Sequence, residues 1–339
     1  MVTWAEIRAA AERIRGVAVR SPMVRLDPER LRAAGLPVPA FEIYLKAEGA
    51  QPIGSFKLRG AYNMAAQLPE AVWRRGLITY SSGNHAQGVA FAARALGTKA
   101  VIVMPENAPE VKKVATAALG AEIVVVGNAS SDRRRRAEEL AAEHGYAIVP
   151  PYDHTAIIAG QATCGLEITE QLPEADLVVA PVSGGGLLSG VATAVKLAAE
   201  AGLARSGVQV WGAEPELAAD AKESFDTGKL VEWPAAMTSR TIGDGLRTQS
   251  LGELNFAHIR QYADGIASVS EEEIFRAMRV GFAATDLVME PSGAVSLAAV
   301  LFHARELPAV RSVVAVISGG NIDPALRGRM EAEVAIAKG

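Results

Sequence analysis

Cysteine occurs once in the 339 residues, at Cys164. A single thiol excludes an intrachain disulfide framework and any cysteine-rich zinc site, and it points to a reducing compartment, the cytoplasm. Long apolar runs are missing as well, since no window approaches the ~20 uninterrupted apolar residues of a membrane span. The opening residues Met1-Val-Thr-Trp-Ala-Glu-Ile-Arg8 carry charges every few positions and hold no apolar segment of a secretory signal. Charge of one sign is not in excess either. Lysine and arginine number 34 against 38 acidic residues, for a net charge of -4, so the strong positive field that a nucleic-acid partner needs is absent. The one basic cluster, Arg133 to Arg136, runs directly into Glu138 and Glu139, as on a solvated helix face. Low-complexity linkers, internal repeats and coiled-coil heptads are also lacking, so any division into domains must come from how strands group.

Short apolar runs and alanine-rich helical stretches fill the chain in alternation. Ala100–Met104, Ile123–Val126, Leu177–Ala180, Val208–Trp211 and Ser312–Ile317 read as buried strands. Gly88–Leu96, Arg134–His144, Leu187–Ala201 and Glu271–Ala284 read as helices between them. Continuous apolar strands alternating with helices predict an α/β fold with parallel sheets covered on both faces. The length suits two domains or one large α/β unit. Strands near 78, 102 and 124 are expected to form a small sheet. Those near 44, 149, 178, 210, 266 and 314 are expected to form a larger one.

Chemistry in open α/β sheets gathers where strands end and turns lead into helices. Four glycine- and serine-rich turns stand out: Gly54-Ser-Phe-Lys-Leu-Arg-Gly60, Ser81-Ser-Gly-Asn-His-Ala-Gln-Gly88, Ser183-Gly-Gly-Gly-Leu-Leu-Ser-Gly190 and Ser318-Gly-Gly-Asn321. In the third, consecutive glycines let backbone N–H groups converge at a helix start, which is a phosphate cradle. It has neither the lysine and spacing of a P-loop nor the G-x-G-x-x-G fingerprint, so a nucleotide is not indicated. A lone lysine is ordinarily a surface charge. Lys57, flanked by Phe56 and Leu58 in a turn, is instead a candidate for partial desolvation, which lowers an amine's pKa and suits it to Schiff-base chemistry.

These residues carry a resemblance. In order along almost the whole chain stand Ser55-Phe-Lys-Leu-Arg-Gly-Ala61, Ser81-Ser-Gly-Asn-His85, Ile158-Ala-Gly-Gln161, Ser183-Gly-Gly-Gly186, Glu290-Pro-Ser-Gly293 and Ser318-Gly-Gly-Asn321. Together they resemble the fold type II (β-family) pyridoxal-phosphate enzymes, and within them the serine/threonine dehydratase and serine racemase group. The resemblance implies a tryptophan synthase β-like fold of two open, twisted, mostly parallel sheets flanked by helices. A large cofactor-binding domain would comprise residues 1–68 and 154–339, and a small domain, residues 69–153, would be mobile over the active site. Lys57 would anchor pyridoxal 5'-phosphate and move the substrate's Cα proton. Phe56 would pack beside the ring and Asn84 would bond its phenolic oxygen. Backbone N–H groups of Gly184, Gly185, Gly186 and Leu187 would hold the phosphate, Ser318 would face the pyridine nitrogen, and Glu290 would lie near the ring. Ser81, Ser82 and His85 would receive the substrate's α-carboxylate, with Ser82 on the face opposite Lys57. Ser183 and Ala86 depart from the glycines common at those positions, changes that bear on the substrate pocket and leave the cofactor assignment intact.

A hydroxyl such as Ser318 can bond the pyridine nitrogen but cannot keep it cationic. The weaker electron sink shortens the life of a Cα carbanion and favours prompt loss of a β-leaving group. The cofactor performs the bond-breaking while the protein selects the bond and the face. The implied reaction is dehydration and deamination of L-threonine or L-serine to a 2-oxo acid and ammonia. Threo-3-hydroxyaspartate follows closely as substrate, because Arg133 aligns with a residue that reaches substrate and could clamp a second carboxylate bidentately.

The resemblance also implies a divalent ion, Mg²⁺ or else Ca²⁺ or Mn²⁺, at Glu214, the carbonyl of Ala218 and Asp220. Oxygen ligands of this kind suit such ions. On spacing alone these acids read as surface residues. His144, His154, His258 and His303 lack metal-ligand spacing and read as incidental. Competing readings are a serine or aspartate racemase using Ser82 as an acid, a β-replacement enzyme, a nicotinamide-dependent dehydrogenase and a non-catalytic amino-acid sensor. A homodimer is expected by analogy. The chain ends soon after Asn321, so feedback through a C-terminal regulatory domain is not expected.

Overall fold

A computed structural model describes residues 1–337 apart from Ser82, Asn107, Pro109, Asn128 and Ala129; of Val111, Ser130, Ser131, Ile336 and Ala337 only the backbone is described. The apolar runs become strands of two separate sheets. The larger holds β1 (Met23–Arg25), β2 (Glu42–Ala47), β7 (Leu177–Pro181), β8 (Gln209–Pro215), β9 (Gly265–Val269) and β10 (Ser312–Ile317), in the order β1-β2-β10-β7-β8-β9. All its pairings are parallel except β1 on β2. The smaller holds β3 (Leu77–Tyr80), β4 (Ala100–Pro105), β5 (Glu122–Val126) and β6 (Ala147–Ile148), in the order β5-β4-β3-β6, all parallel.

β7 and β10 sit at the centre of the larger sheet with helices on both faces, so every residue of both strands is buried. Fully burying a valine or leucine side chain contributes about 1.5–3 kcal/mol, and these strands consist largely of such residues. The helix Pro291–Phe302 covers one face, while Gly186–Glu200 and Thr155–Gln171 stack on the other. In the smaller sheet the helix Ser130–His144 crosses β3 and β4 on one face and Asn84–Leu96 packs on the opposite one. Among the described residues no helix is long and apolar enough to cross a membrane.

The grouping expected from sequence needs one correction. The strand near 149 belongs to the smaller sheet, where Ala147 and Ile148 pair with Leu77 and Ile78. The chain leaves β5, crosses back through Ser130–His144 and lands on the edge beside β3, so the segment completes the sheet it left. β1, three residues long with an exposed Arg25, is an addition that no apolar run announced.

Both sheets deliver their turns at the carboxyl ends of strands. β3 leads through Ser81 to the helix Asn84–Leu96, β7 through Ser183 to Gly186–Glu200, and β10 into Ser318–Asn321. β2 runs into the short 3-10 helix Glu48–Ala50 and then to the helix Lys57–Ala65.

Candidate active site

Lys57 opens the helix Lys57–Ala65. The segment before it is tied to the end of β10: Ser55 bridges Gly319, Phe56 N donates to Ser318 O at 3.1 Å, and Gly320 N donates to Gly54 O at 2.9 Å. Lys57 Nζ donates to the carbonyl of Pro151 at 2.8 Å and stands 5.2 Å from the centre of the Phe56 ring. Burial of the amine without an anionic partner pulls its pKa down to about 8. Lys57 was expected to be partly desolvated, and its side chain is part-buried; its holder, the Pro151 carbonyl, is a backbone group that no side-chain pattern could reveal.

The turn after β3 meets the turn after β10 through side chains. Asn84 Nδ2 donates to Glu290 Oε1 at 2.7 Å, and Asn321 Nδ2 donates to Asn84 Oδ1 at 2.8 Å. Asn84 is thereby held by one donor and one acceptor, which fixes its orientation. Burial raises the Glu290 pKa to about 7; the nearby charge of Asp244 adds to this and the Asn84 bond opposes it. His85 is buried, with Nε2 3.0 Å from Val149 O. A carbonyl only accepts, so Nε2 carries the proton. Burial, followed by the charge of Lys57, holds the His85 pKa at about 3, and the ring is neutral. Ser81 Oγ accepts from Gly83 N at 3.3 Å. Ser82 lies outside the described residues. Ser318 is buried at the end of β10.

The glycine turn behaves as a cradle. Gly185 has φ +96°, a conformation that glycine adopts without strain, and it caps the helix Gly186–Glu200 with no side-chain bond. The amides at that helix start are therefore available to an anion. Gly184 and Gly186 face Tyr152, where a Cβ on Gly184 would come within 2.4 Å of Tyr152 Cδ1 and one on Gly186 within 3.1 Å of Tyr152 Cβ. Tyr152, which sequence reasoning did not single out, is thus a wall of the cradle. Its neighbour Asp153 accepts from the amides of Glu253, Leu254 and Asn255 at 3.2, 3.0 and 3.3 Å, capping the helix Glu253–Tyr262. The buried Ser55 Oγ, without a partner among the described residues, is a second hydroxyl at this junction that carried no assigned role.

Two further groups stand on other elements. Glu214, one residue before the end of β8, accepts from the amides of Ala221 and Lys222 at 3.2 and 2.9 Å. Ala218 and Asp220 are buried beside it, and both Asp220 carboxylate oxygens are buried without a partner among the described residues. Burial and then the charge of Asp220 push Glu214 well above the carboxylate range, and burial brings Asp220 to about 7. These acids are interior residues, which corrects the surface reading that spacing alone gave. Among the described residues no cluster of three or more His, Cys, Asp and Glu side chains forms a metal site, so a third ligand has to be a carbonyl or water.

The four arginines divide. Arg134, Arg135 and Arg136 pair with Glu138, Asp132 and Glu139 on the surface. Arg133 stands four and seven residues before the buried Ala137 and Leu140, on the sheet-facing side of its helix. Its Nε is buried without a partner among the described residues, and burial lowers its pKa.

Two of the histidines read as incidental are structural. His154 Nδ1 accepts from Ala156 N at 3.1 Å, and His258 Nε2 accepts from Val2 N at 2.9 Å.

Known proteins resemble this chain along nearly all of its length. A family model described as pyridoxal-phosphate dependent enzyme matches residues 17–319. The chain is 38% identical over 323 residues to the L-threo-3-hydroxyaspartate ammonia-lyase of Saccharomyces cerevisiae, covering 95% of this chain and 94% of that protein. It is 36% identical over 321 residues to the serine racemase of Schizosaccharomyces pombe, with 95% and 94% covered. Among solved structures, a threonine deaminase from T.th. superposes with a TM-score of 0.85 at 42% identity, over 95% of this chain and 99% of that one.

Proposed function

The chain belongs to the family of pyridoxal-phosphate dependent enzymes, and from that premise we propose that it is an ammonia-lyase for small L-hydroxy-amino acids. L-serine or L-threonine would lose the Cα proton and the β-hydroxyl, leave as an enamine, and be hydrolysed to a 2-oxo acid and ammonia. The observation that carries this reading is the part-buried Lys57 amine, held 2.8 Å from the Pro151 carbonyl by a segment tied to the Ser318 turn.

The residues fit the cofactor. Lys57 would hold it covalently and shuttle the Cα proton, an amine with a pKa near 8 being suited to both roles. The uncapped helix start at Gly184 to Leu187 offers N–H donors for its phosphate, Asn84 an amide for its phenolic oxygen, Ser318 a hydroxyl for its ring nitrogen, and Phe56 an apolar surface. Glu290 bonds Asn84 from behind. When bound, the cofactor supplies the sink for the electrons of the broken Cα–H bond. Ser81, Ser82 and the neutral His85 would bind the α-carboxylate, with Ser82 opposite Lys57.

Glu214, the Ala218 carbonyl and Asp220 would hold Mg²⁺, Ca²⁺ or Mn²⁺; two buried carboxylate oxygens on Asp220, unpartnered among the described residues, support this. Residues 69–153 would act as a small domain closing over the site and excluding water. The enzyme would work as a cytoplasmic homodimer.

A second reading is favoured by one observation. Arg133 is a part-buried cation without an anion among the described residues, at the carboxyl end of the smaller sheet. A substrate with a second carboxylate, L-threo-3-hydroxyaspartate, would supply that anion. The test is 2-oxo acid and ammonia release from L-serine, L-threonine and L-threo-3-hydroxyaspartate by wild type, Lys57→Ala and Arg133→Met, with chiral analysis of remaining substrate. Release that disappears in Lys57→Ala supports the lyase. A fall confined to hydroxyaspartate in Arg133→Met selects the second reading. Inversion at Cα without release would replace the lyase with a racemase.

A further inference from the structure

Two residues beyond Lys57 on the same helix lies Arg59, one of the largest fully buried side chains of the molecule. Its Nε and Nη2 donate to the two oxygens of Glu48, each at 2.8 Å. Its Nη1 and Nη2 donate to the two oxygens of Glu167 at 2.7 and 2.8 Å, and Nη1 also reaches Thr163 Oγ1 at 3.1 Å. Lys46 completes the group, its Nζ donating to Glu167 Oε2 at 2.6 Å, Gln171 Oε1 at 2.9 Å and Ser21 O at 2.8 Å. Ser21 Oγ donates to Glu48 Oε1 at 2.5 Å. Two cations and two anions thus balance, drawn from β2, the 3-10 helix Glu48–Ala50, the helix Lys57–Ala65 and the helix Thr155–Gln171.

A buried ion group of this kind is a poor device for stability alone. Well-packed apolar side chains of similar volume often serve as well or better. What apolar packing does not give is a fixed direction. An α-helix turns by about 100° per residue, so Arg59 projects about 200° around the axis from Lys57, on nearly the opposite side. Forked bonds to carboxylates on two different elements fix the roll of the helix about its axis. Lys57 is the first residue of that helix, where its own N–H has no intrahelical partner.

We propose that Arg59 is a positioning residue for Lys57: its fork, clamped between Glu48 and Glu167, sets the rotation of the helix that aims the Lys57 amine. This rests on the reading of Lys57 as the reacting amine.

Two variants test it. Arg59→Lys keeps the charge and loses the fork. The quadruple variant K46M/E48L/R59M/E167M replaces the whole group by apolar volume, which removes the direction while keeping the packing. Each is assayed below its melting temperature in two ways. The first is the rate at which pyridoxal with cyanoborohydride labels Lys57 in the cofactor-free chain, located by peptide mass spectrometry. The second is kcat and KM of the loaded enzyme on its best substrate.

A displaced amine costs on the order of 100-fold in kcat. The expected result is that loss in the quadruple variant, with KM changed less than about 3-fold and Lys57 labelling slowed about 10-fold. Arg59→Lys should fall between it and wild type. Variants that melt lower yet label and turn over like wild type would overturn the proposal, leaving the group a stability element. Failure of pyridoxal to label Lys57 in the wild type would instead remove the cofactor assignment on which the proposal rests.

Discussion

Adding a single methyl group at Gly184 examines the wall that Tyr152 makes against the glycine turn. A Cβ there would lie 2.4, 2.5 and 2.6 Å from Tyr152 Cδ1, Cε1 and Cγ, whereas carbon atoms in contact prefer about 3.5–4.0 Å. The ring has little freedom to retreat. The carbonyl before it holds Lys57 Nζ at 2.8 Å, and the carboxylate after it caps the helix Glu253–Tyr262. Overpacking of this kind costs about 1–3 kcal/mol. If that strain falls on the shape of the turn, pyridoxal phosphate should bind about 5- to 150-fold more weakly to Gly184→Ala, at about 1.4 kcal/mol per tenfold.

Gly186→Ala, whose Cβ would stand 3.1 Å from Tyr152 Cβ, should lose less. Tyr152→Ala sets the baseline, and the double variant should recover most of the Gly184→Ala loss, with a coupling of at least about 1 kcal/mol in the cycle. The assay is equilibrium titration of the cofactor-free protein by absorbance or fluorescence. Unchanged binding by Gly184→Ala, or a double variant no better than the two single losses added together, would refute the reasoning.

Other consequences are open to measurement. Glu290, raised from 4.5 to about 7 by burial, binds its proton more tightly folded than unfolded, so its contribution is present at low pH and is lost as pH rises from 4.5 through 7. Glu290→Gln should therefore match wild type near pH 4 and be more stable at pH 8, by at most about 3 kcal/mol at ~1.36 kcal/mol per pKa unit; a difference of the opposite sign in cofactor-free thermal melts would contradict this. Labelling of Lys57 by an aldehyde should rise with a midpoint near pH 8, where its amine becomes neutral, and a midpoint near 10.5 would mean that the amine is solvated. Mg²⁺ should raise the melting temperature of the wild type relative to EDTA, and Asp220→Asn should abolish that difference while melting cooperatively.

Much of the candidate site could be picked out along the chain because its turns are local. The glycine run between β7 and a helix stands out within a few residues, whereas Lys57 by itself reads as an ordinary surface charge and is singled out by the motifs around it. Continuous apolar strands such as Leu177–Pro181 and Ser312–Ile317 were equally plain. Partnership across long separations was not. Ala147–Ile148 is a two-residue edge strand, and nothing in it says which sheet it joins. Lys46, Glu48 and Arg59 carry no local mark of the ion group that the fold makes of them. Tyr152 could not be paired with Gly184 from sequence, because the absence of a side chain leaves no mark of what occupies its place. Arg133 was singled out by the resemblance alone; the residues of its own cluster gave no reason to separate it from Arg134, Arg135 and Arg136, whose surface pairings now set it apart.

The stretch from Val149 to Asp153 ties its residues to different parts of the molecule. Val149 belongs to the smaller sheet: its amide donates to Ile78 O at 2.9 Å, and its carbonyl accepts from Thr79 Oγ1 at 2.8 Å and His85 Nε2 at 3.0 Å. Pro151 already belongs to the other side, through Lys57. Only Pro150 separates them, and its ring fixes φ near −65°. Pro151 is a proline as well, so φ is fixed at both residues and the residue before each ring is held extended; the crossing is a stiff strut that sets the carbonyl facing His85 at a fixed reach from the carbonyl facing Lys57.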